Sequence, residues 1–333
     1  MLAAHCYALQ GRVAPTEQWN IHMPTRSRPR RGSLQFWPRK RAAKAIPSVN
    51  WSPISGTDDT KVLGFITYKV GMGSALAKDS TEHALTQKKQ VALPVTILEA
   101  PPMKILSVRF YQHGKPLKDV IVNNEKNLKR KIKTIKTVKD LEKETPEDYD
   151  EIRLIVSSQP SFKKTPDIIE IALNTDAPLD FIKPLIGKEI TLENFKPSLV
   201  DVRGLTKGKG MQGPVKRFGI GLKSHKSEKG VRNPGSIGPW HPARVTFRVP
   251  MAGQLGMFSR VHYNHPVLTT NSITEKDINP KSGFKRYGQI KSSYLIIKGS
   301  VQGPAKRAIL VTPSFRPTKR AAKQQLEFQR LVL

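Results

Sequence analysis

Apolar and polar positions change their spacing several times along the chain. From Val62 to Val70 (VLGFITYKV), Val91 to Glu99 (VALPVTILE) and Ile105 to Tyr111 (ILSVRFY), β-branched and aromatic residues form short runs bounded by glycine, proline or charge. Such runs predict strands. Between Asn123 and Glu144 the apolar spacing becomes three or four, at Leu128, Ile132, Ile135, Val138 and Leu141. This predicts an amphipathic helix with a basic outer face. Strands follow over Glu151–Val156 and Asp167–Leu173, and Ala177–Ile186 reads as a short helix closed by Gly187, with Pro184 working against it. β character resumes over Ile190–Phe195, Arg244–Val249, Met257–His262, Tyr294–Lys298 and Ala308–Val311. Many short strands with Gly and Pro turns predict a mainly β chain, a barrel interrupted by an α+β insertion.

The expected organisation follows from these shifts. Residues 57–112 and 188–312 form a discontinuous β-barrel domain, and 113–187 form the α/β insertion. A basic arm spans 23–50, a long loop spans 203–244 within the barrel domain, and 313–333 is a basic, peripheral tail. Residues 1–22 carry few charges and no pattern, and Met23 lies just before the arm. They are read as an upstream extension, with Met23 as the biological start. Their weak apolar character lacks a basic n-region and makes a poor secretory signal, and the Arg-rich, acid-poor first 45 residues fit a transit peptide less well than a nucleic-acid arm.

Charge changes the picture most. The chain has 333 residues, 57 Lys+Arg against 26 Asp+Glu, and a formal net charge of +31. Self-repulsion on this scale is relieved by a polyanion, so nucleic acid or an anionic membrane is the first partner to consider. No stretch approaches about 18 consecutive apolar residues, so no transmembrane helix is expected. The single cysteine, Cys6, excludes an internal disulfide, a Cys-based zinc site and an iron–sulfur cluster, and suits a reducing, intracellular setting.

Two stretches concentrate the cations. Residues 25–44 read TRSRPRRGSLQFWPRKRAAK, with no acid and with Phe36 and Trp37 in the middle. Pro29, Gly32 and Pro38 oppose a continuous helix, which leaves an extended arm whose arginines bind phosphates and whose aromatics stack on bases. Residues 203–244 read RGLTKGKGMQGPVKRFGIGLKSHKSEKGVRNPGSIGPWHPAR, with Glu228 as the only acid. This segment shows almost no apolar pattern and is expected to have no core of its own. A structureless loop of about 40 residues inside a domain is usually functional. Glycine lets the backbone approach a ligand closely, while Lys and Arg neutralise phosphates. The loop therefore reads as a finger threaded into folded RNA. The candidate RNA-binding residues are Arg26, Arg28, Arg30, Arg31, Trp37, Arg39, Lys40 and Arg41 in the arm. In the finger they are Lys207, Lys209, Lys216, Arg217, Lys223, Lys226, Arg232, Trp240, His241 and Arg244.

Other chemistry is weaker. Gly208-Lys-Gly210-Met-Gln-Gly213 matches the dinucleotide G-x-G-x-x-G pattern, with Glu228 further on. That fingerprint needs a buried strand before it and a helix after it. Pro214, Gly219 and Gly221 disfavour the helix, so the match is set aside. His262 and His265 form an H-x-x-H without a nearby carboxylate in sequence, expected in a strand-to-loop region and structural or RNA-contacting rather than metal-binding. Asp58-Asp59 and Glu147-Asp148 suit turns and caps. No catalytic set, metal site or cofactor site emerges.

Several segments together resemble a known family. Thr206-x-Gly208-Lys-Gly210-x-x-Gly213-x-x-x-Arg217 is similar to the signature of the universal large-subunit ribosomal protein L-three family. Ser27–Arg41 resembles the N-terminal arm of archaeal members, and Gly64–Met72 resembles the first barrel strand with its Lys-x-Gly-Met turn. Ile237–Arg244 (IGPWHPAR) resembles the tip of the central finger, and Tyr294–Pro304 the last barrel hairpin. The resemblance covers about residues 23–320, and the 113–187 insertion points to the archaeal type.

The resemblance implies a translation-protein-type β-barrel with long basic extensions, and a structural role in the large ribosomal subunit of the cytoplasm. Its arm and finger would penetrate 23S-type rRNA. Trp240 would be the tip aromatic near the peptidyl transferase centre, with His241 and Pro242 beside it and Arg232 on the basic flank. The protein would act early in subunit assembly, beside neighbours such as L-fourteen and L-twenty-four. Two departures stand out. Gly73-Ser74 follows Met72 where many relatives have Thr-His, and Glu228 stands where eukaryotic members carry a modifiable histidine. The alternatives are an RNA-processing or RNA-modifying enzyme, which needs a general acid/base pair or cofactor pocket, and a membrane-surface protein, which needs a stronger apolar helix face.

Overall fold

The computed structural model describes residues 30–54, 60–132 and 138–332. They divide into two compact units, one of 42–207 with 259–332, the other of 30–41 with 208–258. The larger unit follows the apolar runs. β1 (Phe65–Asp79), β2 (Gln90–Ala100), β3 (Met103–Gln112), β5 (Glu151–Ser158) and β6 (Asp167–Ala172) fall where β-branched clusters predict strands. β4 (Lys115–Ile121), a proline- and lysine-bearing edge strand, was not anticipated.

Six antiparallel strands close into a ring. β1 pairs with β2, β2 with β12 (Ser293–Lys298), and β12 with β11 (Ser259–Asn271). β11 pairs with β8 (Leu199–Leu205), β8 with β13 (Ala308–Pro313), and β13 returns to β1 through Phe65↔Val311 to Tyr68↔Ala308. Closure removes the exposed edges that an open sheet would leave. β1 is longer than its apolar run because it does not turn at Lys69-Val70-Gly71-Met72. It crosses that stretch with a register shift between Lys69 and Gly71 and goes on to pair with β14 (Leu326–Val332) over Ser74–Asp79. The Lys69 ammonium sits inward, donating to the Val301 and Gly303 carbonyls.

β3, expected in the barrel, pairs instead with β4 and β5, and β5 with β6, while the two-residue β7 (Glu189–Ile190) also joins β3. One continuous apolar core runs through both sheets of this unit, including Trp51, Phe65, Ile97, Phe110, Phe195 and Leu310. Each fully buried large side chain contributes about 1.5–3 kcal/mol. Tyr68 on β1 donates to Asp167 on β6 at 2.6 Å. Burial, then the adjacent carboxylate, push that phenol's pKa upward.

Several expectations fail for local reasons. The 123–144 segment is not one helix: a 3-10 turn spans Lys126–Arg130, residues 138–140 are irregular, and α1 is only Leu141–Glu144. Part of this segment, 133–137, lies outside the described residues. Crowded like charges and β-branched residues work against a continuous helix, although Leu128 and Leu141 are buried as the spacing implies. α2 (Pro178–Ile182) passes into a 3-10 turn at Lys183–Leu185, where Pro184 stops the α pattern, and Gly187 follows at φ +78°. Ile190–Phe195 is β7 followed by a 3-10 turn. Arg244–Val249 is irregular and exposed up to Arg248, because its alternating pattern has no sheet to join. The tail is not merely peripheral: α4 (Lys319–Lys323), capped by the Thr318 hydroxyl, leads into β14.

Candidate nucleic-acid interface

The smaller unit joins the arm and the finger. In the described residues it holds fourteen Lys and Arg and one acid, Glu228. Its regular structure is slight: β9 (Gly210–Gln212) pairs with β10 (Gly253–Leu255), and α3 spans Pro214–Phe218. The finger therefore does contain a helix after Gly213. Pro214 occupies the first helical position, where its missing N–H costs nothing, and Gly219 ends the helix at φ +67°. This helix has five residues and follows a largely exposed three-residue strand, a different setting from the dinucleotide fingerprint.

The segment makes no core of its own, as expected, but shares a small one with the arm. Phe218 is buried, and Trp37 lies stacked on it at 6.3 Å between ring centroids. The Arg39 guanidinium lies over Phe218 at 4.3 Å and over Trp37 at 5.5 Å. Contacts of this kind are worth about 0.5–2 kcal/mol each. Trp37 Nε1 donates to the Ser33 carbonyl at 3.1 Å, and Phe247 is tilted against Trp37 with ring centroids 6.3 Å apart. Arg217 donates to the carbonyls of Gln254 (3.0 Å), Met251 (2.8 Å) and Arg39 (3.2 Å). Burial lowers the pKa of its guanidinium, which nonetheless remains charged. Arg30 donates to the Arg248 carbonyl at 2.8 Å.

The candidate residues thus separate. Trp37, Arg39 and Arg217 are engaged within the protein, and so is the exposed Arg30 through the Arg248 carbonyl. Arg31, Lys40, Arg41, Lys209, Lys216, Lys226, Arg232, His241 and Arg244 are exposed, Lys223 is half-buried, and Trp240 is 88% exposed. Lys207 is exposed but falls in the larger unit. Arg26, Arg28 and Asp58-Asp59 lie outside the described residues. Sequence reasoning missed Phe218, Phe247 and Arg248. Phe218 was findable as the sole Phe, Tyr or Trp between 195 and 240, set between a proline and a glycine that bound a helical turn.

His262 and His265 lie inside β11, not at its end, with rings stacked at 5.7 Å. His265 Nδ1 meets the Lys298 carbonyl at 2.8 Å, and burial depresses its pKa. Among the described residues no group of three His, Cys, Asp or Glu could hold a metal ion, and no helix is long and apolar enough to cross a membrane. The described ion pairs gather on the second sheet, as in Arg109 with Asp119 (2.6 Å) and Arg153 with Glu151 (2.8 Å). The cations of the smaller unit have no such supply of carboxylates.

Comparison with known proteins bears on this arrangement. A family model described as Ribosomal protein L3 matches residues 23–331. The chain is similar to the large ribosomal subunit protein uL3 of Methanocaldococcus jannaschii, at 39% identity over 87% of this chain and 92% of the relative. It is 39% identical to that of Methanosphaera stadtmanae over 88% of this chain and 94% of the relative. It is 40% identical to that of Methanococcus aeolicus over 87% and 92%.

Proposed function

The chain belongs to the ribosomal protein L3 family, and from that premise we propose how it serves the large ribosomal subunit. It is a structural constituent of that subunit in the cytoplasmic ribosome, and not an enzyme. In our reading the ring and second sheet form a rigid body, and the unit of 30–41 with 208–258 is the polycation that enters large-subunit rRNA. The carrying observation is the one-sided charge of that unit, fourteen cations to one acid. Each exposed cation placed on a phosphate releases a counterion and gives a salt-dependent contribution to affinity. Trp240, carried on an exposed loop, offers a flat face for stacking on a base.

By the family resemblance this tip stands near the peptidyl transferase centre and holds rRNA in one arrangement while the RNA performs the chemistry. The same resemblance gives the protein an early part in subunit assembly and neighbours such as L-fourteen and L-twenty-four. Sedimentation of native extract through sucrose at low and moderate salt tests the role. Co-migration with the large subunit that survives the moderate-salt wash is expected, and absence from ribosomal fractions would overturn it. A Trp240→Ala protein that assembles normally should alter tRNA binding or drug sensitivity at the centre. Unchanged values for both would remove the tip from the mechanism.

A further inference from the structure

We propose that Arg217 is a positioning residue that locks the arm onto the finger base before RNA arrives, and not a phosphate ligand. The proposal rests on the RNA-binding reading above. A phosphate-binding arginine turns its fork outward, whereas Arg217 spends Nε, Nη1 and Nη2 on three carbonyls from two chain segments, those of Gln254, Met251 and Arg39. Arg39 answers from the arm. Its Nη1 reaches the Arg217 carbonyl at 3.5 Å, its Nη2 donates to the Ser33 carbonyl at 3.3 Å, and its plane covers Phe218.

The two arginines therefore hold each other's backbone, with Phe218 beneath. A planar, five-donor fork can do this, and a lysine ammonium cannot. Gly32 completes the fit at φ +79°: a Cβ there would lie 2.6 Å from Arg39 Nη2 and 2.8 Å from Phe218 Cδ1. The arm and finger then present their outer cations as one preorganised surface, which lowers the ordering cost of binding.

The test uses the full chain and deproteinised archaeal large-subunit rRNA. Hydroxyl-radical footprinting of the RNA-free protein compares Phe218 with Phe247, which is 82% exposed. Binding is measured across a series of KCl concentrations. Wild-type Phe218 is expected to be protected without RNA. Arg217→Gln, Arg217→Lys and Gly32→Ala should each raise its modification several-fold toward that of Phe247. Each should also weaken rRNA binding on the order of tenfold, the scale of one lost charged hydrogen bond, with an unchanged salt slope. Lys226→Gln should lower the slope by about 0.7–0.9 and leave Phe218 protected.

A one-cation drop in slope for Arg217→Gln with Phe218 still protected would make Arg217 a phosphate ligand and overturn the proposal. So would full rRNA affinity in Arg217→Lys, or equal modification of Phe218 and Phe247 in the wild type. Salt-independent or absent rRNA binding by the wild type would instead remove the RNA-binding reading, while the footprint still decides the clamp.

Discussion

The two units are held together by different physics. The larger one buries Ile97, Leu98, Leu310 and Val311 completely inside a closed hydrogen-bonded circuit. Its buried carboxylates are also well supplied with donors: Glu99 accepts from the Lys291 and Ser292 amides, the Ser292 hydroxyl and the Tyr287 phenol. The smaller unit has one buried aromatic, and two arginines perform the task that leucine and valine perform in the ring. A chain segment too polar to bury apolar area can still be ordered, provided its cations find carbonyls and π faces. The cations left over then face outward with no acid to quiet them.

The sharpest way to break this comparison is to truncate both cores. Ile97→Ala should cost about 2–5 kcal/mol and shift the main urea midpoint, whereas Phe218→Ala should leave that midpoint in place and expose only the arm. Equal shifts for the two would mean a single cooperative core. Next in size, Glu99→Gln should cost about 1–3 kcal/mol, because four donors lose a charged acceptor. An unchanged urea midpoint would show that the loop carrying Tyr287 and Ser292 is held by packing alone.

A pH experiment sharpens the electrostatic side. Hydrogen bonds from the Thr81 and Thr86 side chains, then the Thr81 amide, depress the Asp79 pKa below its ordinary 3.8. Since the folded value is the lower one, Asp79 adds stability above about pH 3.8 and loses it as the pH falls through the folded value. Acid titration of stability should therefore flatten between these pH values in Asp79→Asn, and an identical acid limb would dismiss the contribution. The smallest effect belongs to the tip. Trp240→Ala should move the free protein's stability by no more than about 0.5 kcal/mol, as read by thermal unfolding, because an 88% exposed side chain supports nothing.

Much of the ring was legible because strands such as β2 carry buried runs, Val95–Glu99 among them, whose β-branched density admits little else. β14 was harder to see, since Leu326–Val332 is half-exposed and acquires meaning only beside Ser74–Asp79. The 123–144 stretch misled because helical spacing of apolar residues says nothing about the cations crowded between them. In the candidate interface the charge was plain, but its division of labour was not. Arg39 and Arg217 are 178 residues apart, and composition cannot say that a guanidinium faces a carbonyl and not a phosphate. Phe218 was passed over because one aromatic makes no period.

The ring also sets an order of events in synthesis. The Thr67 hydroxyl meets the Ile309 carbonyl 242 residues later, and Ser80 meets Glu327 247 residues later. β1 is among the first strands to leave a translating ribosome, and both partners of its outer edge are among the last. Until they emerge, β1 has an open flank and the circuit cannot shut, so contacts of such long sequence separation make closure the late and slow step of folding. The basic finger, encoded before β13 and β14, is exposed to the crowded polyanions of the cell while the body that carries it is still unfinished, a period in which a protective escort would matter most.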